Sequence, residues 1–170
     1  MNWLGYTLIG AILFIIAFCV FYSCYLMPTL RKNDVCNRFE EILKERDEEY
    51  EIKKFKGEWC DFRLDLKDKT YYVKHFVVPG REEVVINNPY KWQVLGGSKG
   101  FLFLKGVEAF VDGPCNTDKE IVKVAVFYTH CKLVMYYKNE CDMDFVSPRT
   151  SVHGIKFIGF DELEDKFDWL

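Results

Sequence analysis

No Lys, Arg, Asp or Glu occurs before Arg31, so the first stretch of the chain carries no charged side chain. That absence argues against a cleaved signal peptide. Such a leader has a basic start, a shorter apolar core and a small-residue cleavage site, and Tyr25-Leu26-Met27 does not supply one. Seven cysteines are present, but never as C-x-x-C, which removes the common zinc and redox spacings. Histidine is scarce, with three in the chain. Cys131, Cys141, His130 and His153 bring both metal-ligating types together in sequence, yet their spacing matches no standard ligand pattern. An odd, unpatterned cysteine set suits free thiols in a reducing compartment. A basic stripe is also missing. The formal net charge is −3 with both signs interspersed, so there is no electrostatic case for nucleic-acid binding. There are no internal repeats and no low-complexity linkers.

What is there first is an anchor. Trp3 to Met27 are apolar all round, with no amphipathic stripe. A helix of that length rises about 37 Å, enough to cross a hydrocarbon core of about 30 Å with some tilt. Trp3 and Tyr6 stand near one end and Tyr22 and Tyr25 near the other, where aromatic rings favour the headgroup region. Pro28 is expected to stop the helix, because it lacks an N–H. Arg31, Lys32 and Arg38 follow the span, so the positive-inside rule places the C-terminal part in the cytoplasm. Residues 1–30 therefore read as a single-pass transmembrane anchor, with residues 3–27 in the lipid bilayer, and 31–170 as one cytoplasmic domain.

The domain reads as α/β (α+β). Asp34 is expected to cap a helix to about Glu49, because Val35, Phe39, Ile42 and Leu43 fall on one helical face. Tyr50, Ile52 and Phe55 alternate with charge as a strand, and Lys56-Gly57-Glu58 reads as a turn. Phe62, Leu64 and Leu66 alternate as a half-buried strand. Lys67-Asp68-Lys69 turns into a return strand from Thr70 to about Val78, which Pro79-Gly80 is expected to break. Short strands follow at Val84–Ile86 and Trp92–Leu95, broken at Asn87-Asn88-Pro89 and Gly96-Gly97. Phe101 to Val111 permits helix or strand, and helix is preferred. Val122 to Tyr128 is a near-continuous apolar run, expected to be a central strand buried on both faces. Lys132 to Tyr137 is expected to lie beside it as a separate neighbour. A last strand at Ile155–Ile158 and a terminal helix capped by Asp161 complete the reading.

Three stretches carry a family likeness. They are Arg38-Phe39-Glu40-Glu41-Ile42-Leu43 leading to Tyr50-Glu51-Ile52, Cys60-Asp61-Phe62 with its hairpin to Tyr71-Tyr72-Val73-Lys74, and Val124-Ala125-Val126-Phe127 with the closing Ile158-Gly159-Phe160-Asp161-Glu162-Leu163. Together they resemble the nuclease-related domain family, of the PD-(D/E)XK restriction-endonuclease-like superfamily. The resemblance implies a mixed-sheet, restriction-endonuclease-like fold and a site in which carboxylates hold a divalent metal such as Mg²⁺ that activates water, while a lysine supports charge in the transition state. Asp61 matches the first acid and the metal ligand, Lys74 the lysine, and Glu40 or Glu41 the acid of the leading helix. The return strand departs from the pattern, because Tyr72-Val73-Lys74 holds no carboxylate where the second acid belongs. A lysine there repels a cation.

The expected function is a membrane-anchored protein whose catalytically inactive nuclease-like domain serves as a binding module, with no cofactor. One alternative is a membrane-tethered metal-dependent nuclease acting on DNA or RNA, its second acid supplied by Glu82 or Glu83. Another is a structural membrane protein with an unrelated α+β domain. The ordinary reading of Asp61 and Lys74 is as solvated strand residues, and of His75 and His130 as hydrogen-bonding groups. The identity of a protein partner is not readable from these residues.

Overall fold

A computed structural model describes residues 3–56, 59–95, 100–139 and 141–170. The chain falls into two units, Met1–Asp34 and Val35–Leu170. In the first, α1 (Trp3–Phe21) runs into one π-helical segment, Tyr22–Leu26, and then into α2 (Met27–Glu45), whose residues from Val35 on belong to the second unit. The helical stretch is long and apolar enough to cross a membrane. Pro28 does not end it. The Met27 N–H reaches back to the Tyr22 carbonyl, so the backbone is already wound wide where proline follows. The Thr29 hydroxyl donates to the Tyr25 carbonyl at 2.9 Å, satisfying an acceptor beside the ring.

Asp34 consequently lies inside α2 rather than capping it, and the helix ends four residues earlier than the sequence suggests. The stop is local. Asp47 takes a left-handed conformation (φ 54°), its N–H bonds the Lys44 carbonyl at 3.2 Å, and the Glu48 N–H bonds that of Leu43 at 3.2 Å. This pair of bonds is a Schellman ending. The expected apolar face is the one that is buried: Val35, Cys36, Phe39, Ile42 and Leu43.

The second unit is built on one eight-stranded sheet: β1 (Glu51–Lys54), β2 (Phe62–Asp65), β3 (Lys69–Asn88), β4 (Lys91–Leu95), β5 (Phe101–Phe103), β6 (Glu120–Tyr137), β7 (Met143–Phe145) and β8 (Ile155–Gly159). Its spine is the parallel pair β3 and β6, in register from Lys69↔Glu120 to Ile86↔Tyr136. Each long strand changes its outer partner midway. β3 pairs antiparallel with β2 up to Val73 and with β4 from Glu83. β6 pairs parallel with β8 up to Phe127 and antiparallel with β7 from Met135.

The long strands correct two expectations. Pro79-Gly80 does not break β3. The register with β6 shifts between Val77 and Arg81, so a residue without an N–H falls where the ladder is already interrupted. Lys132 to Tyr137 is the continuation of β6, not its neighbour. The stretch from Phe101 divides into β5 and the short helix α3 (Val107–Val111). The terminal helix is only α4 (Leu163–Lys166) between two 3₁₀ turns, and Asp161 sits in the first of these turns rather than at a cap. Residues 57–58 and 96–99, where two turns were expected, lie outside the described residues.

Two cores result. The first packs α2 and the C-terminal Leu163, Phe167 and Leu170 on Phe62, Leu64, Val73, Val124 and Val126. The second packs Val107 and Phe110 of α3 on Tyr72, Phe76, Val84, Trp92, Phe127 and Phe157. Val122 to Tyr128 feeds both, as expected of a strand buried on two faces. The charged residue within that run, Lys123, is satisfied there: its Nζ donates to the carbonyls of Phe110, Val111 and Gly113 at 3.1, 2.6 and 3.1 Å.

Candidate functional site

The two places where the long strands change partners each hold an Asp–His pair. At the first, the ladder of β2 on β3 ends with the Asp61 N–H donating to the Val73 carbonyl at 2.8 Å. The next β3 N–H on that edge belongs to His75, while the Asp61 carbonyl accepts from the Phe55 N–H at 2.9 Å. The Asp61 carboxylate takes its place: Oδ2 accepts from the His75 N–H at 2.7 Å and lies 2.7 Å from His75 Nδ1. Both side chains are mostly buried, 14% and 13% exposed. An ionised carboxylate only accepts, so Nδ1 is the donor in this contact. The ring meets Tyr128 edge-on at 6.4 Å, and Tyr128 lies against Phe160 at 4.9 Å.

At the second, β8 leaves β6 after the Phe127↔Gly159 pair, and the turn that follows carries Asp161 onto Nδ1 of His130. This pair is open to solvent. The thiol next to His130 is a poor nucleophile, because burial pushes Cys131 up to about 11; burial also raises the thiol of Cys36 on α2.

The residues singled out from the sequence are only partly brought together. Asp61 and Lys74 are neighbours across the hairpin, since Phe62 pairs Val73. The Lys74 ammonium lies 5.9 Å from the centre of the Phe76 ring and against Gly106, whose φ of 75° and lack of a side chain leave room for it. Glu41 stands apart on the outer surface of α2, paired with Arg38 at 3.2 Å, and Glu40 pairs with Lys44 at 3.6 Å. Glu83 pairs with Lys132 at 3.4 Å, and the Glu82 side chain is outside the described residues. Among the described residues no three His, Cys, Asp or Glu side chains converge in a way that holds a metal ion. The sequence reading missed the partnership of Asp61 with His75 and of Asp161 with His130. Neither pair has a spacing signal, because each depends on where a neighbouring strand stops.

A carboxylate that orients an imidazole is one part of a general-base assembly. The ring neighbour of His75 is Tyr128, and burial suppresses the thiols of Cys36, Cys115 and Cys131 as nucleophiles. The class defined by fold and site is thus an α+β protein with one long apolar N-terminal helix, a mixed sheet and two carboxylate-held histidines. Comparison with known proteins finds no match for this chain among family models, curated proteins or solved structures.

Proposed function

We propose that the chain is a single-pass membrane protein whose cytoplasmic α+β unit is a catalytically inactive relative of the nuclease-related domains, working as a binding module. The observation that carries this reading is the employment of Asp61. Its carboxylate closes the β3 ladder and holds the His75 ring, both at 2.7 Å, so the acid that the resemblance assigns to a metal serves the fold instead. Two further features support it. Glu41 forms a surface ion pair, and the return strand offers Lys74 where a second acid belongs. Hard divalent cations need several oxygen ligands, and one engaged carboxylate holds them weakly. The order helix, five antiparallel strands, helix, parallel strand in α2, β1–β5, α3 and β6 supports a coarse likeness of fold.

The test is cleavage of labelled single- and double-stranded DNA and RNA by the purified full chain in detergent, with Mg²⁺ or Mn²⁺. The expected result is no cleavage. Cleavage that disappears in Asp61→Ala overturns the proposal in favour of the nuclease. Orientation is tested separately by an impermeant thiol reagent on intact cells. Cys141 is exposed in the second unit and is expected to label only after lysis. Strong labelling before lysis overturns a cytoplasmic domain.

A further inference from the structure

The outer edge of β6 forks. Its parallel ladder with β8 ends at the Phe127↔Gly159 pair, and its antiparallel ladder with β7 starts at Met135↔Phe145. Between those pairs no strand lies on that edge among the described residues. The Val146 N–H closes the far side of the gap on the Val134 carbonyl at 2.8 Å. β6 also bulges here. Glu82 pairs with Cys131 but Glu83 with Leu133, so Lys132 is an extra residue in the strand. The bulge shifts the alternation, and Cys131 and Val134, three positions apart, both pack on the second core.

A gap beside a bulge leaves a hole. It is a cavity of about 270 Å³ walled by Val134, Val146, Phe157 and Trp169, with Lys132 and Lys166 on the same lining. It lies where β8 runs out, and the crevice beyond the carboxyl ends of parallel strands is a recurrent ligand site. Trp169 is not spent elsewhere. Its neighbours Phe167 and Leu170 pack in the first core, while Trp169 belongs to neither core.

We infer that this cavity binds a small organic anion, a monocarboxylate with an aromatic or aliphatic body. Size comes first. A volume of about 270 Å³ falls below the roughly 300–1,000 Å³ of drug-sized sites, so the occupant is small. Charge sets its sign. Lys132 and Lys166 line the cavity with one acid, Glu162, which is paired with Lys166. Arg149 adds a third cation. Its guanidinium stands over the Trp169 ring at 4.1 Å and forms no ion pair among the described residues. Stacking on an aromatic face leaves the N–H edge of a guanidinium open to the fork of a carboxylate. Glu83 pairs with Lys132 at 3.4 Å, but both side chains are exposed and such a pair is weak. With Glu83 counted, Lys132, Arg149 and Lys166 stand against two carboxylates, so the site stays positive. A bare inorganic ion would leave the apolar walls unfilled, whereas a hydrocarbon body covers them. The inference gives the binding module a ligand class and rests on that reading.

The experiment titrates the purified full chain in detergent with 4-fluorobenzoate, followed by fluorine NMR, beside the neutral 4-fluorobenzyl alcohol. The acid is expected to bind saturably and the alcohol about tenfold more weakly or less, the worth of a hydrogen bond to a charged group. Arg149 is exposed, and Arg149→Gln keeps its length while removing the charge. It is expected to weaken the acid about tenfold. Val146→Phe fills the cavity and is expected to abolish saturable binding. If thermal unfolding shows that this variant does not fold, Arg149→Gln decides alone. A wild-type signal that never saturates, equal saturable binding of the alcohol, or unchanged affinity in Arg149→Gln or in folded Val146→Phe each overturns the proposal. Failure of the binding-module reading looks different: it is nucleic-acid cleavage that requires Asp61, which stands at the β2–β3 edge, and it leaves this titration as it is.

Discussion

The two halves of the β3–β6 spine share two strands but not a fate. In the first half both faces are covered, one by α2 and the C-terminal turns and the other by the second core. In the second half one face packs in the second core, while on the other the burial of Val85 and Met135 gives way to exposed Phe103 and Phe145 at the edges. Strand length and register are continuous across both, apart from the shifts near Arg81 and Glu83. The difference teaches that hydrogen bonding sets the sheet and that a covering element decides where it is stabilised. A fully buried aromatic contributes about 1.5–3 kcal/mol more than an exposed one, whichever strand carries it.

The sharpest way to break that comparison is to cut one aromatic from each half. Phe39 on α2 is fully buried, edge-on to Phe62 at 5.4 Å and to Phe167 at 5.6 Å. Phe39→Ala is expected to cost about 3–5 kcal/mol, because the rings around it leave a cavity rather than collapse. Phe145→Ala is expected to stay within about 0.5 kcal/mol. Thermal unfolding of the full chain in detergent measures both. Similar losses would show that the second half is covered after all.

A smaller effect comes from the loop after α3, at the margin of the second core. A Cβ on Gly113 would stand 2.0 Å from the Trp59 ring. That ring cannot swing clear, because Phe55 and Tyr72 hold it at 5.8 and 5.1 Å. Gly113→Ala is expected to cost about 1–3 kcal/mol from overpacking, with a blue or red shift of tryptophan emission. Unchanged stability and emission would mean that the loop is not pinned.

What was legible in the sequence was the periodic part. Val35, Phe39, Ile42 and Leu43 announced a helical face, and Phe62 and Leu64 announced a half-buried strand, because burial on one face imposes a period on the chain. What was not legible depends on partners distant in sequence. Pro28 stays inside a helix because a π segment precedes it, and Pro79 stays inside β3 because its ladder to β6 is already shifted. The candidate site divides the same way. Asp61 stood out as an acid at a strand start. Its tie to His75, fourteen residues on, exists only because β2 starts no earlier than Phe62, and no local pattern encodes that start.

The two Asp–His pairs offer a finer comparison. Asp61→Ala removes the acceptor of a part-buried backbone N–H and of a ring, so it is expected to cost about 1–3 kcal/mol. Asp161→Ala breaks a pair that water reaches, and is expected to cost less than about 1 kcal/mol. Hydrogen exchange at the His75 amide separates the causes. It should accelerate in Asp61→Ala and not in Asp161→Ala, and equal exchange in the two would remove Asp61 from its place at the end of the ladder.

The smallest expected effect has the opposite sign. Asp47 closes α2 with φ 54°, a region where its Cβ crowds the following carbonyl. The two bonds that end the helix, from Asp47 to Lys44 and from Glu48 to Leu43, use only backbone atoms, so they survive a change of side chain. Glycine reaches this conformation without that strain, but it also gives the unfolded chain more freedom to lose. At a left-handed C′ position strain relief is the larger of the two, and Asp47→Gly is expected to stabilise the second unit by about 0.5–1 kcal/mol. The charge change works in the same direction, since a carboxylate at a helix C-terminus opposes the helix dipole. Raising the salt concentration separates the two contributions. Screening is expected to shrink only the charge-derived part of the gain, and a gain that vanishes entirely at high salt would mean that Asp47 carries no strain.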